Sequence, residues 1–366
     1  MTRPSRRPTR QVRVGSVAIG GGAPVTVQTM TKTDTRDVEA TVGQIREVEL
    51  LGCDLVRLAV VDEDAARALG RIKPQVRIPL IADIHFDHRL ALLALAAGAD
   101  GLRINPGNIG GPNCIRAVVE AARERNVPIR IGVNSGSLEK DLLDKHGGGT
   151  AEALVESALR HVRLLEDLAY REIKISVKAS DVRRTVEAYR RLSERTEYPL
   201  HMGVTEAGTF LAGTVRSSIA LGMLLAEGIG DTIRVSLTDT PASEVRVGVE
   251  LLRAMGLRAP GPSVISCPTC GRVQVDVMRL AAEVESALEK YYARSPSAQR
   301  PLVAVMGCMV NGPGEAREAD IALAGGQGKF ALYVNGTPRR TVAEGEAVAA
   351  LVEEVRAWQG RPKRGA

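Results

Sequence analysis

Eight short, β-branched apolar runs recur between residues 25 and 238, each followed by an amphipathic stretch of helical period. A Gly- and Pro-rich break follows at 256–263, and beyond it one long helical pattern mixes with short strand-like runs and an Asn-Gly turn. Together these predict an α/β chain: a TIM (β/α)8 barrel followed by a small α+β domain. The expected division is 1–255 for the barrel, with 1–10 as a basic tail, 256–263 for a linker and 264–366 for the second domain. A doubly wound open sheet is the competing architecture, but it needs fewer strands or a second sheet.

In chain order, Val12–Ile19 and Val25–Met30 flank Gly20, Gly21 and Gly22, which suggests a short hairpin plugging one end. The barrel strands are expected at Val25–Met30, Leu55–Val60, Leu80–Phe86, Gly101–Asn105, Ile129–Asn134, Ile173–Ala179, Leu200–Glu206 and Thr232–Thr238. Helical stretches such as Val38–Leu51, Pro112–Arg125, Ala151–Ala169 and Thr209–Glu227 alternate with them, and Gly or Pro marks the joins. In the second domain, Asp276–Tyr291 and Glu344–Trp358 read as helices. Leu302–Met306, Ile321–Ala324, Phe330–Val334 and Arg340–Val342 read as strands, with Asn335-Gly336 as a hairpin turn.

The formal charge is +6, but five arginines lie in residues 1–13 and three cations in 361–364, so the body between them is net −2. A basic nucleic-acid-binding surface is not indicated, and the termini read as solvated, disordered ends. No apolar run approaches a membrane span, and the N-terminal residues lack the apolar core of a secretory signal. Five cysteines in 366 residues fit a reducing cytoplasm rather than a disulfide scaffold.

Active sites of (β/α)8 barrels form at the C-terminal ends of the strands. The polar residues expected there are Arg57, Asp83, His85, Arg103, Asn105, Arg130, Asn134, Lys178, Thr205, Glu206, Arg234 and Ser236, after Gln28-Thr29-Met30 on the first strand. Five cations on five strands repel one another unless a multiply charged anion sits among them, and arginine grips such oxygens in pairs. The loop Asn105–Pro112, with Pro112 opening a helix, presents free N–H groups to an anion, although it also reads as a plain βα turn. Asp83 reads equally as an ion-pair partner for an arginine or as a proton-handling acid. His85 reads as a second proton donor or as a buried, backbone-bonded histidine. Glu206, at a strand end beside Thr205, is placed where a general acid reaches substrate.

The second domain carries Cys267-Pro268-Thr269-Cys270, and Cys308 follows Cys270 by 38 residues, with Glu315 seven residues further on. Three thiols are one short of the four-thiolate set of a structural zinc or an iron–sulfur centre. A site with three sulfurs and an open or oxygen-filled fourth position suits chemistry on a bound molecule. Cys53 reads as a small buried apolar residue. Cys114 starts a helix near the same end of the barrel, and its spacing gives no support for ligation.

These residues together resemble the 4-hydroxy-3-methylbut-2-enyl diphosphate synthase family, iron–sulfur enzymes of the non-mevalonate isoprenoid pathway. The likeness runs through VQTMT at 27–31, ADIHF at 82–86, RINPGN at 103–108, IGVNSGS at 131–137, ISVKAS at 175–180, GVTEAG at 203–208, SCPTCGR at 266–272 and VNGPGEA at 310–316. Thr29 and Ala322 depart from the family's usual Ser and Gly without removing a ligand or a charge. The length is similar to the compact two-domain bacterial form. The resemblance implies a [4Fe–4S] cluster held by Cys267, Cys270 and Cys308 with Glu315 as an exchangeable oxygen ligand. It implies 2-C-methyl-D-erythritol 2,4-cyclodiphosphate as substrate, contacted by Arg57, Arg103, Arg130, Asn134, Lys178, Arg234 and Ser236. Thr205 and Glu206 then stand at the reacting end, and Asp83 and His85 beside the substrate. Flavodoxin or ferredoxin is the expected electron donor, and a homodimer the expected assembly, the cluster domain of one subunit capping the barrel of the other.

Two other readings compete. One is a phosphate-binding barrel transferase with an appended structural zinc; the single CxxC leaves that zinc short of a strong ligand. The other is an iron–sulfur redox sensor binding nucleic acid through its termini, which the near-neutral body disfavours.

Overall fold

The computed structural model describes residues 5–258, 263–295, 297–308, 312–326 and 328–360. Two compact units divide the chain, Met1–Arg258 and Ala259–Ala366. Of the segment read as a linker, residues 259–262 lie outside the described residues, as do 1–4 and 361–366 at the termini.

The first unit opens with an antiparallel hairpin of β1 (Val12–Val14) and β2 (Val17–Ile19). It turns at Gly15, whose φ of 55° favours glycine, and not at the three glycines that follow. Val12, Val14 and Ile19 pack on Leu55 and Ile81, closing the lower end of the sheet. The (β/α)8 series then runs β3 (Thr26–Met30), α1 (Val38–Leu50), β4 (Leu55–Val60), α2 (Glu63–Ile72), β5 (Leu80–Ile84), α3 (His88–Ala96), β6 (Gly101–Ile104), α4 (Pro112–Glu124), β7 (Ile129–Asn134), α5 (Lys140–His146), α6 (Ala151–Glu166), β8 (Ile173–Lys178), α7 (Val182–Arg195), β9 (His201–Met202), α8 (Phe210–Ala226), β10 (Thr232–Ile233) and α9 (Pro241–Ala254). All eight strands are parallel, in the order β8-β7-β6-β5-β4-β3-β10-β9. A bridge between Ile175 and Leu200 joins the two ends of that order into a ring.

Strand alternation explains the layering. Val56, Leu58 and Val60 of β4 point outward into the main apolar core, against helix residues such as Ile45, Val48 and Leu69. Their neighbours Leu55 and Arg57 face the bore. Six of the nine α-helices among the described residues of this unit begin where an acidic or hydroxyl side chain caps them: Asp37, Asp62, Asp87, Thr150, Asp181 and Thr240 each accept from a first-turn N–H. The seventh and eighth strands are shorter than the sequence runs, two paired residues each, because the chain leaves the ladder for the upper loops. Phe86 and Glu206 mark two such exits with φ of 66° and 52°, a costly region for non-glycine residues.

The N-terminal tail, expected to be solvated and disordered, is instead bonded to the lower rim from Arg6 onward. Arg6 donates to the Gly230 carbonyl at 2.6 Å and to the buried Asp231 carboxylate at 2.9 Å. Arg7 donates to the carbonyls of Ser193, Thr196 and Tyr198. A buried carboxylate and the carbonyls ending a helix need donors, and the tail supplies them.

The second unit holds β11 (Ser263–Ser266), α10 (Val277–Arg294), β12 (Leu302–Met306), α11 (Gly312–Glu318), β13 (Ile321–Gly326), β14 (Lys329–Val334), β15 (Thr337–Ala343) and α12 (Ala347–Ala357). Its sheet runs β11 to β15 in order; β11, β12 and β13 are parallel, and β13, β14 and β15 antiparallel. Leu280, Val284 and Leu288 of α10 and Leu351 and Val355 of α12 cover one face, against Val303, Val305, Leu323 and Phe330. The other face meets Ala316 and Ala319 through Ala304, Ala322 and Ala324, small residues that let the short α11 lie close. The β14–β15 turn is Asn335-Gly336, both at positive φ as a two-residue type I′ hairpin requires. Strand β11 went unread in the sequence: two of its four residues are serines, and it lies mostly exposed at the sheet edge.

Candidate active site

At the upper ends of the barrel strands a cavity of about 180 Å3 is lined by Arg57, Asp83, His85, Arg103, Arg130, Asn134, Ser176, Lys178, Thr205, Arg234 and Ser236. Strand pairing explains the convergence. Register places Asp83 beside Arg103, Arg103 beside Arg130, and Asn134 beside Lys178. Period two then turns all of them to the bore. Two glycines make the room. A Cβ on Gly132 would stand 2.6 Å from Arg103 Nε, and one on Gly203 would stand 2.6 Å from the Arg234 carbonyl and 2.9 Å from Lys178 Nζ.

Five cations face a single carboxylate on this lining. Asp83 is shared: Arg103 Nη1 donates to its Oδ1 at 3.2 Å, while Arg57 Nε and His85 Nε2 lie 3.6 Å from its Oδ2. Arg103 Nη1 also sits 2.6 Å from His85 Nε2, and its Nη2 donates to the Gly132 carbonyl at 3.3 Å. Arg57 rests on the Met30 sulfur, at 2.9 Å from Nη2. Burial presses the Arg57 guanidinium down to about 9; Asp83 opposes this, and Arg234 and Arg103 reinforce it. Burial and the surrounding arginines likewise hold Arg130 and Lys178 well below their ordinary values. For Asp83, burial pulls upward, but Arg57, His85, Arg103 and Arg130 together hold the carboxyl far below the usual range. Arg103 Nε, Arg130 Nε and Nη1 and Arg234 Nε are buried with no partner among the described residues. A ring so charged and so incompletely bonded is built for an anion bearing several oxygens.

Ser176 is the lining residue that sequence reading missed. It lies two residues before Lys178 on β8, so the period of the strand was the available signal. Glu244 was missed too. It is buried on the first turns of α9, accepts from Thr29 Oγ1 at 2.7 Å and Leu237 N at 3.0 Å, and lies 3.3 Å from Lys32 Nζ and 3.8 Å from Arg234 Nη2.

Glu206 is not on the lining. It is exposed, directly after Thr205, in the left-handed conformation noted above. The turn around it is held by Arg216, which donates to the Ala207 carbonyl at 2.9 Å, and by Thr238 N, which donates to the Gly208 carbonyl at 3.0 Å. Backbone strain of this kind gathers at functional sites. Asn105 turns its Oδ1 to Gly107 N at 3.1 Å, shaping the loop ahead of α4. Cys53 is buried, with its thiol pushed up to about 12 by desolvation; Cys114 is half-buried and off the lining.

In the second unit, Cys267 extends β11, its N–H donating to the Val305 carbonyl at 3.0 Å. The CxxC loop folds back so that Gln274 N donates to the Gly307 carbonyl at 3.1 Å, just before the buried Cys308 at the end of β12. Only glycine fits at 307, where a Cβ would meet Val277 at 2.4 Å. Gly312 N bonds the Cys308 carbonyl at 3.2 Å, and Glu315 is exposed in the first turn of α11. Thus three thiols lie at the same end of two adjacent parallel strands, with a carboxylate on the following helix. That donor set fits a sulfur-bound iron centre with one oxygen position. Among the described residues no three of His, Cys, Asp or Glu are already clustered at metal-binding distance. Met309, Val310 and Asn311 of the same motif lie outside the described residues.

The GcpE TIM-barrel domain family matches residues 9–249, and the GcpE protein C-terminal domain family matches 263–357. A Geobacter sulfurreducens protein named 4-hydroxy-3-methylbut-2-en-1-yl diphosphate synthase (flavodoxin) is 58% identical over 95% of this chain and 97% of its own length. A Thermodesulfovibrio yellowstonii protein of the same name is 55% identical over 96% of this chain and 99% of its own. Among solved structures, a Yersinia pestis dihydropteroate synthase superposes with a TM-score of 0.47 at 14% identity, over 67% of this chain and 97% of that one. With both domain families matched in order and relatives of this identity spanning nearly its whole length, the chain belongs to the GcpE family.

Proposed function

We infer that this chain catalyses the reductive ring opening and dehydroxylation of 2-C-methyl-D-erythritol 2,4-cyclodiphosphate to 4-hydroxy-3-methylbut-2-enyl diphosphate, a two-electron step of isoprenoid biosynthesis. The observation that carries this reading is the barrel cavity, where five cations face one carboxylate, in a chain more than half identical to enzymes named for the product. The reaction takes up two electrons and one proton, releases one water, and leaves the diphosphate with one more negative charge than the ring had.

Arg57, Arg103, Arg130, Lys178 and Arg234 hold the two phosphates and offset the charge that appears as the ring opens. Asn134, Ser176, Thr205 and Ser236 supply neutral hydrogen bonds that orient the carbon skeleton. Asp83 stays ionised and keeps Arg57, Arg103 and His85 in place. Glu206 supplies the proton on which the departing hydroxyl leaves as water. Cys267, Cys270, Cys308 and Glu315 would hold a [4Fe–4S] cluster, which when bound supplies electrons singly, as C–O cleavage without a hydride donor demands. The relatives' names support flavodoxin as the electron donor. The family resemblance supports a cytoplasmic homodimer; separately, no helix among the described residues is long and apolar enough to cross a membrane.

Anaerobic turnover with reduced flavodoxin, followed by phosphorus NMR, tests the reading. The wild type is expected to be brown and to convert the cyclic to the linear diphosphate. Glu206→Gln is expected to keep the visible absorbance and lose roughly 10²- to 10⁴-fold in kcat. Normal turnover in that variant overturns the role of Glu206; a loaded wild type that leaves the cyclic diphosphate intact overturns the function.

A further inference from the structure

The bore of a (β/α)8 barrel is ordinarily packed with branched apolar side chains. Here one side of the layer directly beneath the cavity is polar. Lys174 lies two residues below Ser176 on β8, His201 two below Gly203 on β9, and Gln28 two below Met30 on β3. Arg130 is paired in register with Lys174. Gln28, Arg130, Lys174 and His201 are each at most 2% exposed. Seven of their atoms find no partner among the described residues: Gln28 Nε2 and Oε1, Arg130 Nε and Nη1, Lys174 Nζ, and both ring nitrogens of His201. Buried polar groups are costly unless bonded, and a cluster of donors with two acceptor-capable side chains suits ordered water.

We propose that this layer is a closed hydrated chamber beneath the cavity floor, and that Lys174 rests there as a neutral amine and takes up a proton when a diphosphate binds above it. The proposal rests on the substrate reading given above. Arg130 faces Lys174 from β7 and His201 faces it from β9. Arg57 on β4, Arg103 on β6 and Arg234 on β10 lie in the layer above, with Lys178 on β8 and the Asp83 carboxylate. The nearest acid from below is Asp231, whose oxygens are already taken by Arg6, Thr9 and the Leu200 N–H. Burial, helped by Arg130 and resisted by Asp231, presses Lys174 down to about 7, and burial beside Arg130 and Lys178 holds His201 well below its ordinary value. A bound anion screens Arg130 and reverses the balance, so the folded value rises and a proton enters at any pH between the free and bound values. The charge gained then offsets the extra negative charge that ring opening leaves on the product.

Titration calorimetry of the oxidised holoenzyme, without reductant, reads this directly. Cyclic diphosphate is added at pH 8 in buffers of different ionisation enthalpy. The heat is expected to depend on the buffer, and Lys174→Met is expected to bind with about 0.8 proton less uptake than wild type. Lys178 also sits below its ordinary value but touches the anion itself, so the difference between the two proteins isolates Lys174. The uptake through Lys174 is expected to vanish at pH 5.5, where the free amine is already charged, and Lys174→Gln repeats the comparison with wild type should Lys174→Met fail to fold. A buffer-independent heat in the wild type at pH 8, or an unchanged uptake in Lys174→Met, overturns the proposal. Inorganic pyrophosphate serves as second titrant: if it binds and the cyclic diphosphate does not, the substrate reading fails, while the pyrophosphate heats still decide the proton uptake.

Discussion

Asp83 is the one carboxylate among the five cations of the cavity, and the arrangement of the others depends on it. With Asn there, Arg57 and Arg103 lose their shared counter-charge and the ligand-free protein must hold the cations unscreened. Asp83→Asn is therefore expected to lower the melting temperature of the free enzyme by several degrees and to regain most of it when pyrophosphate is added. The pH dependence has a definite sign. The folded carboxyl is depressed, so its contribution is complete above the unfolded value, near 4, and is lost as pH falls from there towards the folded one. The melting gap between wild type and variant should thus not narrow between pH 7 and 5, and should narrow only below about 4. A gap that narrows as pH falls from 7 to 5 contradicts an ionised Asp83. His85, for which the sequence allowed a buried structural role, instead stands half exposed at the cavity edge, within reach of Asp83 and Arg103.

At the scale of the element, the strands were legible because their chemistry repeats with period two. Arg103, Arg130 and Lys178 could be assigned to one bore from the sequence alone. What periodicity does not show is what stands behind a strand. Glu244 lies on a helix, where an acid near the N-terminus reads as a partner of the helix dipole, and only the fold brings it to Arg234 and Thr29. The docking of Arg6 was illegible for the same reason: its partner Asp231 is 225 residues away. The strand glycines carry a sharper expectation. Gly203→Ala sets a methyl 2.6 Å from the Arg234 carbonyl and 2.9 Å from Lys178 Nζ. The carbonyl is backbone and yields little, so β9 and β10 must separate. We expect KM for the cyclic diphosphate to rise at least tenfold, with the visible absorbance of the second unit unchanged. Wild-type KM in Gly203→Ala contradicts the close packing of β9 against β10 and Lys178.

In the proposed function the two units of the molecule do different work. The barrel cavity has no cysteine on its lining, and Cys267, Cys270 and Cys308 lie in the second unit. The motif spacing in the second unit was legible in the sequence; the parallel pairing that carries Cys267 and Cys308 to one end of the sheet was only partly so, since β11 escaped notice. Anion binding and electron supply should then be separable by mutation. The most direct measurement is equilibrium binding of the cyclic diphosphate, without reductant, to Cys308→Ser and to Arg130→Met. Cys308→Ser is expected to be colourless and inactive yet to bind within about threefold of wild type. Arg130→Met is expected to keep its colour and lose at least a hundredfold in affinity, roughly the 3 kcal/mol of a charge-assisted contact. Loss of binding with the thiol, or undiminished binding without the arginine, would contradict this division of work.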